Sequence, residues 1–202
     1  MSLWLSDQPL VLASKSGSRR ALLQGAAIPI EVLAADIDER GIESKAGVAD
    51  PGAVAGLLAR EKAIATSALR PGRLVLGADQ TLALGQRRFS KPADRAAARD
   101  QLRALRGQTH ALHSAVAIVR DGKPVFAHCA VARLTMRAFS DPFLEAYLDA
   151  AGDAVLASVG AYQVENLGIQ LFERIEGDHS TILGLPLLPV LDALRREGAL
   201  RG

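Results

Sequence analysis

Four segments of the chain combine residue types and spacings suited to handling a phosphorylated ligand. The first is Ser14-Lys15-Ser16-Gly17-Ser18-Arg19-Arg20. A helix beginning in such a segment offers unpaired N–H groups and the positive end of its dipole to an anion. Small residues let the anion reach the backbone, and Ser hydroxyls and Arg forks grip phosphate oxygens. An ordinary capped helix with solvated arginines fits the same residues equally well. A P-loop is excluded, because no Gly-x4-Gly-Lys-Ser/Thr spacing occurs. The second segment is Gly77-Ala78-Asp79-Gln80-Thr81. A carboxylate just past the end of a buried strand stands where open α/β sheets place ligands, and it can hold a divalent cation or take a proton from water. Taken alone, Asp79 reads more simply as a turn residue capping a neighbouring backbone group.

The third group is scattered: Asp36, Asp38 and Glu39, then Glu61-Lys62, then Lys91-Pro92. Phosphoryl chemistry needs oxygen ligands for a metal and cations along the phosphate chain, although each of these residues is also ordinary surface charge. Lys62 falls four after Leu58 and so borders an apolar stripe, unusual for a purely solvated lysine. The fourth is the glycine-dense stretch from Gly160-Ala161-Tyr162-Gln163-Val164-Glu165 to Gly168, followed by Gly177-Asp178 and Gly184-Leu185-Pro186. It marks either a loop held close to a ligand or tight turns in a sheet-rich half, and the residues alone favour the turns. His110, His113, His128 and His179 form no metal set: three apart on a strand, His110 and His113 point to opposite faces. Structural or surface roles are expected for all four.

The elements that must position these groups alternate. Residues 9–13 read as a buried strand, 14–18 as a loop, 19–24 as a helix stopped by Gly25, and 28–34 as a second strand. Asp50-Pro51 opens a helix, with Asp as its cap and Pro at its first position, running to about Leu69 along Val54, Leu58, Ala65 and Leu69. Residues 73–78 form a strand ending at Asp79, and Gly85-Gln86 turns a hairpin between 81–84 and 87–90. A helix over 94–106 stops at Gly107. Long strands at 110–120 and 125–137 flank the hairpin signal Asp121-Gly122. A helix from Asp141-Pro142 to near Gly152, a strand at 169–175 and a last helix at 187–196 complete the chain. Two hairpins among alternating strands and helices predict a mixed sheet covered by helices.

With 202 residues, 49% of them apolar, and neither repeats nor low-complexity linkers, the chain reads as one globular domain spanning 1–202. A net charge of +2 and the lack of any basic run argue against binding long nucleic acid, as does the lack of an aromatic stacking platform. The single cysteine, Cys129, excludes an internal disulfide and a multi-cysteine zinc site, and is expected in the core. No secretory signal and no apolar run long enough for a membrane span are visible, so the cytoplasm is the expected compartment.

Taken together and in this order, the segments resemble the Maf family of nucleoside triphosphate pyrophosphatases. The matching pieces are Leu12-Ala13-Ser14-x-Ser16-x-x-Arg19-Arg20-x-Leu22-Leu23, Asp36-Ile37-Asp38-Glu39, Ala59-Arg60-Glu61-Lys62-Ala63 and Gly77-Ala78-Asp79-Gln80. They continue through Lys91-Pro92, Leu105-Arg106-Gly107-Gln108-Thr109-His110, Gly160-Ala161-Tyr162 and Gly184-Leu185-Pro186-Leu187. Each motif is weak alone; eight in register across nearly the whole chain are specific. The resemblance implies an α/β fold of the Maf/ITPase-like type, an elongated mixed β-sheet flanked by helices with a central cleft, commonly a homodimer. It implies cleavage of a nucleoside triphosphate to the monophosphate and pyrophosphate with a divalent cation, Mg²⁺ or Mn²⁺, as nucleotide housecleaning.

Carried over residue by residue, the resemblance makes Asp79 the proton acceptor. Glu39 would join it in holding metal or water. Ser14, Arg19, Arg20, Lys62, Gln80, Lys91 and Glu165 would contact the nucleotide. Gly17 replaces a common family proline, and position 18 lacks an arginine that many members have. Gln80 stands where many have threonine, and Glu165 where the dTTP and UTP branch has glutamine. Gln80 and Glu165 look more like the branch described as acting on 7-methyl-GTP, and a carboxylate suits the adjacent N1–H and N2–H₂ donors of guanine. The alternative is a nucleotide-binding regulator of cell division without significant turnover. Retention of Asp79, Glu39, Lys62 and Lys91 favours the enzyme, since a pure binder could lose the base and keep the cations.

Overall fold

The computed structural model describes residues 2–202. The strands are β1 (Leu10–Ala13), β2 (Ile30–Val32), β3 (Val75–Leu84), β4 (Arg87–Phe89), β5 (Thr109–Arg120), β6 (Lys123–Met136) and β7 (Phe172–Glu176). The helices are α1 (Gly17–Gly25), α2 (Glu39–Ala46), α3 (Pro51–Ser67), α4 (Arg95–Leu105), α5 (Asp141–Ala151), α6 (His179–Ile182) and α7 (Leu187–Arg196), with short 3-10 turns between Gly152 and Leu171. The strands form one sheet in the order β2-β1-β3-β5-β6-β7, and β4 pairs with β3 off that path. β1 is parallel to both β2 and β3, whereas the β3–β4 and β6–β7 pairs are antiparallel. The mixed α/β architecture expected from the two hairpins is therefore what forms.

The chain divides into two compact units. One comprises the residues up to Gln80 with Ser114–Ala130 and His179–Gly202; the other comprises Thr81–His113 and Val131–Asp178. In the first unit, Leu10 and Leu12 of β1 and Leu76 and Ala78 of β3 pack with Leu23 of α1 and Val190, Ala193 and Leu194 of α7. Alternate residues, Val11, Ala13 and Val75, pack with Ala63 of α3. Strands covered on both faces are continuously apolar, as β1 is. In the second unit, α4 lies against α5 through a ladder of ion pairs: Arg99 to Glu145, Arg95 to Asp149, and both Arg103 and Arg106 to Asp141. The basic face of α4 is thus matched by acids.

Caps set the helix starts. Asp50, Asp94 and Ser140 each accept from the backbone N–H three residues on, leaving α3, α4 and α5 to begin where expected. Asp121 and Gly122, with φ of 50° and 74°, form the tight turn joining β5 to β6.

Several expectations are corrected. β3 does not end at Asp79 but continues to Leu84, so Asp79 lies within a strand. The acidic stretch after Asp36 becomes α2, capped by Asp38, with Glu39 at its first position. Helix α1 begins at Gly17 and not at Arg19, since Ser16 is its cap. The expected strand at 169–175 is a 3-10 turn up to Leu171 and then β7. On α3 Val54 and Leu58 are buried as expected and the buried face also takes in Ala55, Ala59 and Ala63, while Leu69 is 60% exposed. Cys129 is exposed and not in the core, because the first half of β6 is largely open to solvent.

Candidate active site

Asp79 owes its position to two backbones in close approach. β1 stops at Ala13, opposite Gly77, while β3 runs on. The Asp79 side chain therefore sits just beyond the end of the parallel pair, the place where α/β sheets leave room for ligands. Across from it lies α3. A Cβ built on Gly77 would fall 2.0 Å from the Ala59 carbonyl oxygen and 2.9 Å from the Ala63 Cβ. Only glycine lets strand and helix meet this closely, and Lys62 is the neighbour of Ala63 on that helix.

Lys62 reaches two carboxylates. Its Nζ donates to Asp79 Oδ1 at 2.6 Å and pairs with Glu39 Oε1 at 2.9 Å. The Lys62 and Asp79 side chains are only 12% and 14% exposed, Glu39 49%. Three segments far apart in sequence thus bring two acids onto one ammonium. Burial raises the Asp79 carboxyl above the ordinary carboxylate value; the positive charges of Lys62 and Arg19 oppose the rise without cancelling it. A carboxylate raised in this way is a stronger proton acceptor than an exposed one.

Arg19, on the first turn of α1, is tied into the backbone below Asp79. Its Nη1 donates to the Ala78 carbonyl at 2.8 Å and to Ser14 Oγ at 3.1 Å, and its Nε donates to the Gly184 carbonyl at 2.9 Å. Those bonds leave Nη2 as the arm for another acceptor. Burial lowers the Arg19 pKa, with Asp79 and Glu39 acting in the opposite direction. Ser14 is buried and its hydroxyl also accepts from the Ser16 N–H, so the loop before α1 is preorganised. Arg20 is exposed on the same helix.

Gln80 is tied to its neighbours through its side-chain amide. Its Nε2 donates to Ser114 Oγ and to the carbonyls of Thr181 and Ile182 at 2.8, 3.2 and 3.0 Å. Ser114 itself donates to the Thr181 carbonyl. The amide donors brace β3 against β5 and α6, one residue from Asp79. Ser114 and Thr181 were missed as site-forming residues by sequence reasoning, and Gly184 was singled out only as part of a glycine-dense stretch. The signal was the Gly184-Leu185-Pro186 motif: at φ +89°, Gly184 exposes its carbonyl to Arg19.

Lys91 and Glu165 belong to the second unit. Both are exposed, Lys91 just after β4 and Glu165 in the loop that follows Gly160-Ala161-Tyr162. Ser14, Arg19, Glu39, Lys62, Asp79 and Gln80 all lie in the first unit.

The donor set fits a hard divalent cation. Asp79 and Glu39 converge on one centre, now bonded to Lys62, and among the described residues no group of three or more His, Cys, Asp or Glu could hold a metal alone. Mg²⁺ and Mn²⁺ are commonly held by one or two carboxylates together with phosphate oxygens and water. No helix among the described residues is long and apolar enough to cross a membrane.

The sequence profile of the family described as Maf-like protein matches residues 9–197. The chain is 59% identical to a protein named nucleoside triphosphate pyrophosphatase from Rhodopseudomonas palustris (strain BisB18), over 98% of each chain. It is 52% identical to a protein named 7-methyl-GTP pyrophosphatase from Brucella abortus biovar 1 (strain 9-941), over 96% of this chain and 98% of that one. A solved HAM1 protein from Coxiella burnetii, at 20% identity and a TM-score of 0.41, covers 65% of this chain and 74% of its own, too distant a likeness to carry an argument. The two curated relatives are matched along nearly their whole length, and the motifs that resemble the family lie inside the matched span: the chain belongs to the Maf-like protein family.

Proposed function

We propose that the chain is a nucleoside triphosphate pyrophosphatase, a hydrolase that cleaves between the α and β phosphates to release the monophosphate and pyrophosphate. One observation carries the reading: Lys62 joins Asp79 and Glu39 in a largely buried cluster beside Arg19. The names of relatives at 59% and 52% identity point the same way. A regulator that only binds nucleotide has no use for a desolvated carboxylate whose proton affinity is raised by burial.

In this mechanism Asp79 accepts the proton of the attacking water. Burial raises its proton affinity, as a base requires, and its two neighbouring cations, Lys62 and Arg19, favour the ionised form. Lys62 and the free arm of Arg19 stabilise charge on the phosphate chain, and Ser14 with the first N–H groups of α1 contributes neutral donors. Arg20 adds an exposed cation for the same chain, and Lys91 is given a substrate-binding role by the family resemblance alone. Asp79 and Glu39 would hold the divalent metal, which when bound supplies positive charge to the phosphate oxygens. Gln80 fixes the strand that carries Asp79, and Glu165 recognises the base. The acidic side chain at 165 suits the donor edge of guanine, which makes 7-methyl-GTP the leading substrate. The reading also carries a single domain over 1–202, a cytoplasmic setting and a homodimer.

The test is pyrophosphate release with Mg²⁺ across 7-methyl-GTP, GTP, UTP and dTTP, beside Asp79→Asn. Release by the parent and a loss of roughly a hundredfold or more in the variant, the scale of general-base removal, is expected. No release from any of the nucleotides would overturn the enzyme reading and leave the regulator. Release that survives Asp79→Asn would move the base to another residue, Glu39 first.

A further inference from the structure

Within the second unit, the turn that precedes Glu165 is strained and pinned from three directions. Gly160 and Ala161 both have positive φ, +80° and +60°. The first suits glycine; the second is a conformation that an alanine adopts only when its surroundings enforce it. A Cβ on Gly160 would meet Leu82 at 2.6 Å and the Tyr162 ring at 2.7 Å, so the turn is packed tightly as well as bent. Gln101 of α4 accepts from the Gly160 N–H at 3.2 Å, and Tyr147 of α5 donates to the Ala161 carbonyl at 3.1 Å. The third pin is Tyr162. Its ring lies edge-on to Phe172, with centroids 4.8 Å apart, and its hydroxyl shares a 2.7 Å hydrogen bond with His110 Nε2.

His110, at the start of β5, is 1% exposed, and its Nδ1 has no hydrogen-bond partner among the described residues. Burial pushes its pKa down to about 4, so the imidazole is neutral at physiological pH. A buried ring with one orphaned nitrogen is a poor choice for packing alone, where an apolar residue would fill the space without the penalty. Among the described residues, the side-chain hydrogen bond of His110 goes to Tyr162.

Beyond Tyr162 the loop closes on itself. Asn166 donates to Gln163 through both its side chain, at 2.9 Å, and its backbone, at 3.1 Å. Gly168 is so close to the Gln163 backbone that a Cβ would fall 2.5 Å from its carbonyl oxygen. The segment from Gln163 to Gly168 is therefore a compact block attached to the strained turn, and Glu165 projects from it into solvent.

We propose that His110 is a positioning residue for base selection: through Tyr162 it fixes the strained Gly160–Ala161 turn and so the placement of the block that carries Glu165. This rests on the reading of Glu165 as the base-recognising residue.

The experiment compares His110→Leu, His110→Gln and Tyr162→Phe with the parent. The amide of Gln can place a polar nitrogen close to the position of the imidazole Nε2, which makes it the conservative rescue. Two quantities are read for 7-methyl-GTP, GTP, UTP and dTTP: equilibrium dissociation constants, and kcat and KM by pyrophosphate release. His110→Leu is expected to cut the discrimination between best and worst nucleotide by about tenfold or more, the scale on which lost polar recognition moves specificity. The change should lie in Kd and KM, with kcat on the poorest substrate within about threefold of the parent. Tyr162→Phe should follow it, and His110→Gln should restore most of the discrimination. A variant that fails to fold is replaced by the other member of the Leu and Phe pair. Unchanged discrimination in folded His110→Leu or Tyr162→Phe overturns the proposal, as does a parent that binds all four nucleotides equally or none. Failure of the enzyme reading is seen separately, as absent pyrophosphate in a parent whose binding is selective; binding selectivity then decides the role of His110 alone.

Discussion

Two glycine-to-alanine substitutions should have opposite effects, and the geometry around α3 gives the size of each. Gly77 on β3 has the Ala59 carbonyl oxygen 2.0 Å and the Ala63 nitrogen 2.8 Å from where a Cβ would stand. Ordinary contact begins near 3.4 Å, so Gly77→Ala lacks more than an ångström of room, and the obstructing atoms belong largely to backbone that cannot rotate away. Strand and helix must separate. Overpacking of this kind costs on the order of 3 kcal/mol. For a chain of this size that is a fall in Tm of roughly 6–12 °C. The separation also moves Lys62 away from Asp79, now 2.6 Å apart. Misplacing catalytic groups by about 1 Å costs about a hundredfold in rate, so kcat/KM should fall by that order even well below the melting point. Gly56, on the same helix, has nothing within 4 Å of a built Cβ. Gly56→Ala should instead stabilise by about 0.5–1 kcal/mol through helix propensity and leave activity intact. The assay is a thermal melt of each variant with pyrophosphate release at 25 °C. A Gly77→Ala protein with the parent's Tm and rate would refute the claim that backbone contact between α3 and β3 sets the site.

Other predictions follow from the charges. Burial raises the Asp79 carboxyl above its unfolded value, so its contribution to stability is fully present below the ordinary carboxylate range and is lost as pH rises through the raised value. Asp79→Asn should therefore melt higher than the parent at neutral pH, with the gap closing in acid, while kcat/KM of the parent should fall on the acid side at a pH above the usual carboxylate value. Removing the ammonium in Lys62→Met leaves Asp79 and Glu39 converging without their shared cation; the acid limb of the pH–rate profile should move upward, and an unmoved limb would show that the pair is not coupled. Arg99→Ala should lower Tm by less than Gly77→Ala, and high salt should shrink the difference, because the Arg99–Glu145 pair is only partly sheltered from solvent.

What could be read from the sequence divides along a physical line. Local chemistry was legible: Asp50-Pro51 and Asp94 start helices, Asp121-Gly122 turns a hairpin, and α7 runs from Leu187 to Arg196 as its apolar spacing implied. What depended on remote partners was not. Asp79 looked like a terminator because a charged residue ends an apolar run, yet β3 continues through it: Lys62 shields the charge, and Gln80 finds its acceptors on Ser114 and α6. Cys129 read as core because it is small and apolar, and nothing in a single strand's residues says which of its parts remain uncovered. The buried face of α3 keeps Val54 and Leu58 of the expected stripe but widens onto Ala55, Ala59 and Ala63 for the reason that explains Gly77: close approach needs small residues on both elements, and hydropathy ranks alanine below leucine. The site residues were found by type and order; that Lys62 would stand between two carboxylates came only from the fold.

The placement of Arg19 shows how the site holds a carboxylate that burial disfavours. A guanidinium used only to bind phosphate would be left at the surface, as Arg20 is. Arg19 instead spends three bonds on Ser14, Ala78 and Gly184. Two of these acceptors are backbone carbonyls, one of them belonging to the residue immediately before Asp79. The charge therefore sits at a fixed distance from the base whether or not nucleotide is bound, and needs no reorganisation when negative charge develops on the phosphate chain. The same enclosure lowers the Arg19 pKa and raises that of Asp79, so both groups are under strain in their charged forms and each relieves the other. Neutralising Asp79 removes relief from Arg19 as well as the base, whereas replacing Arg19 releases the Gly184 loop and the carbonyl of Ala78 together. Loss of Arg19 should therefore lower stability and activity together, whereas Asp79→Asn should lower activity while raising the melting temperature at neutral pH, an asymmetry that follows from one side chain being anchored to the framework and the other being held by it.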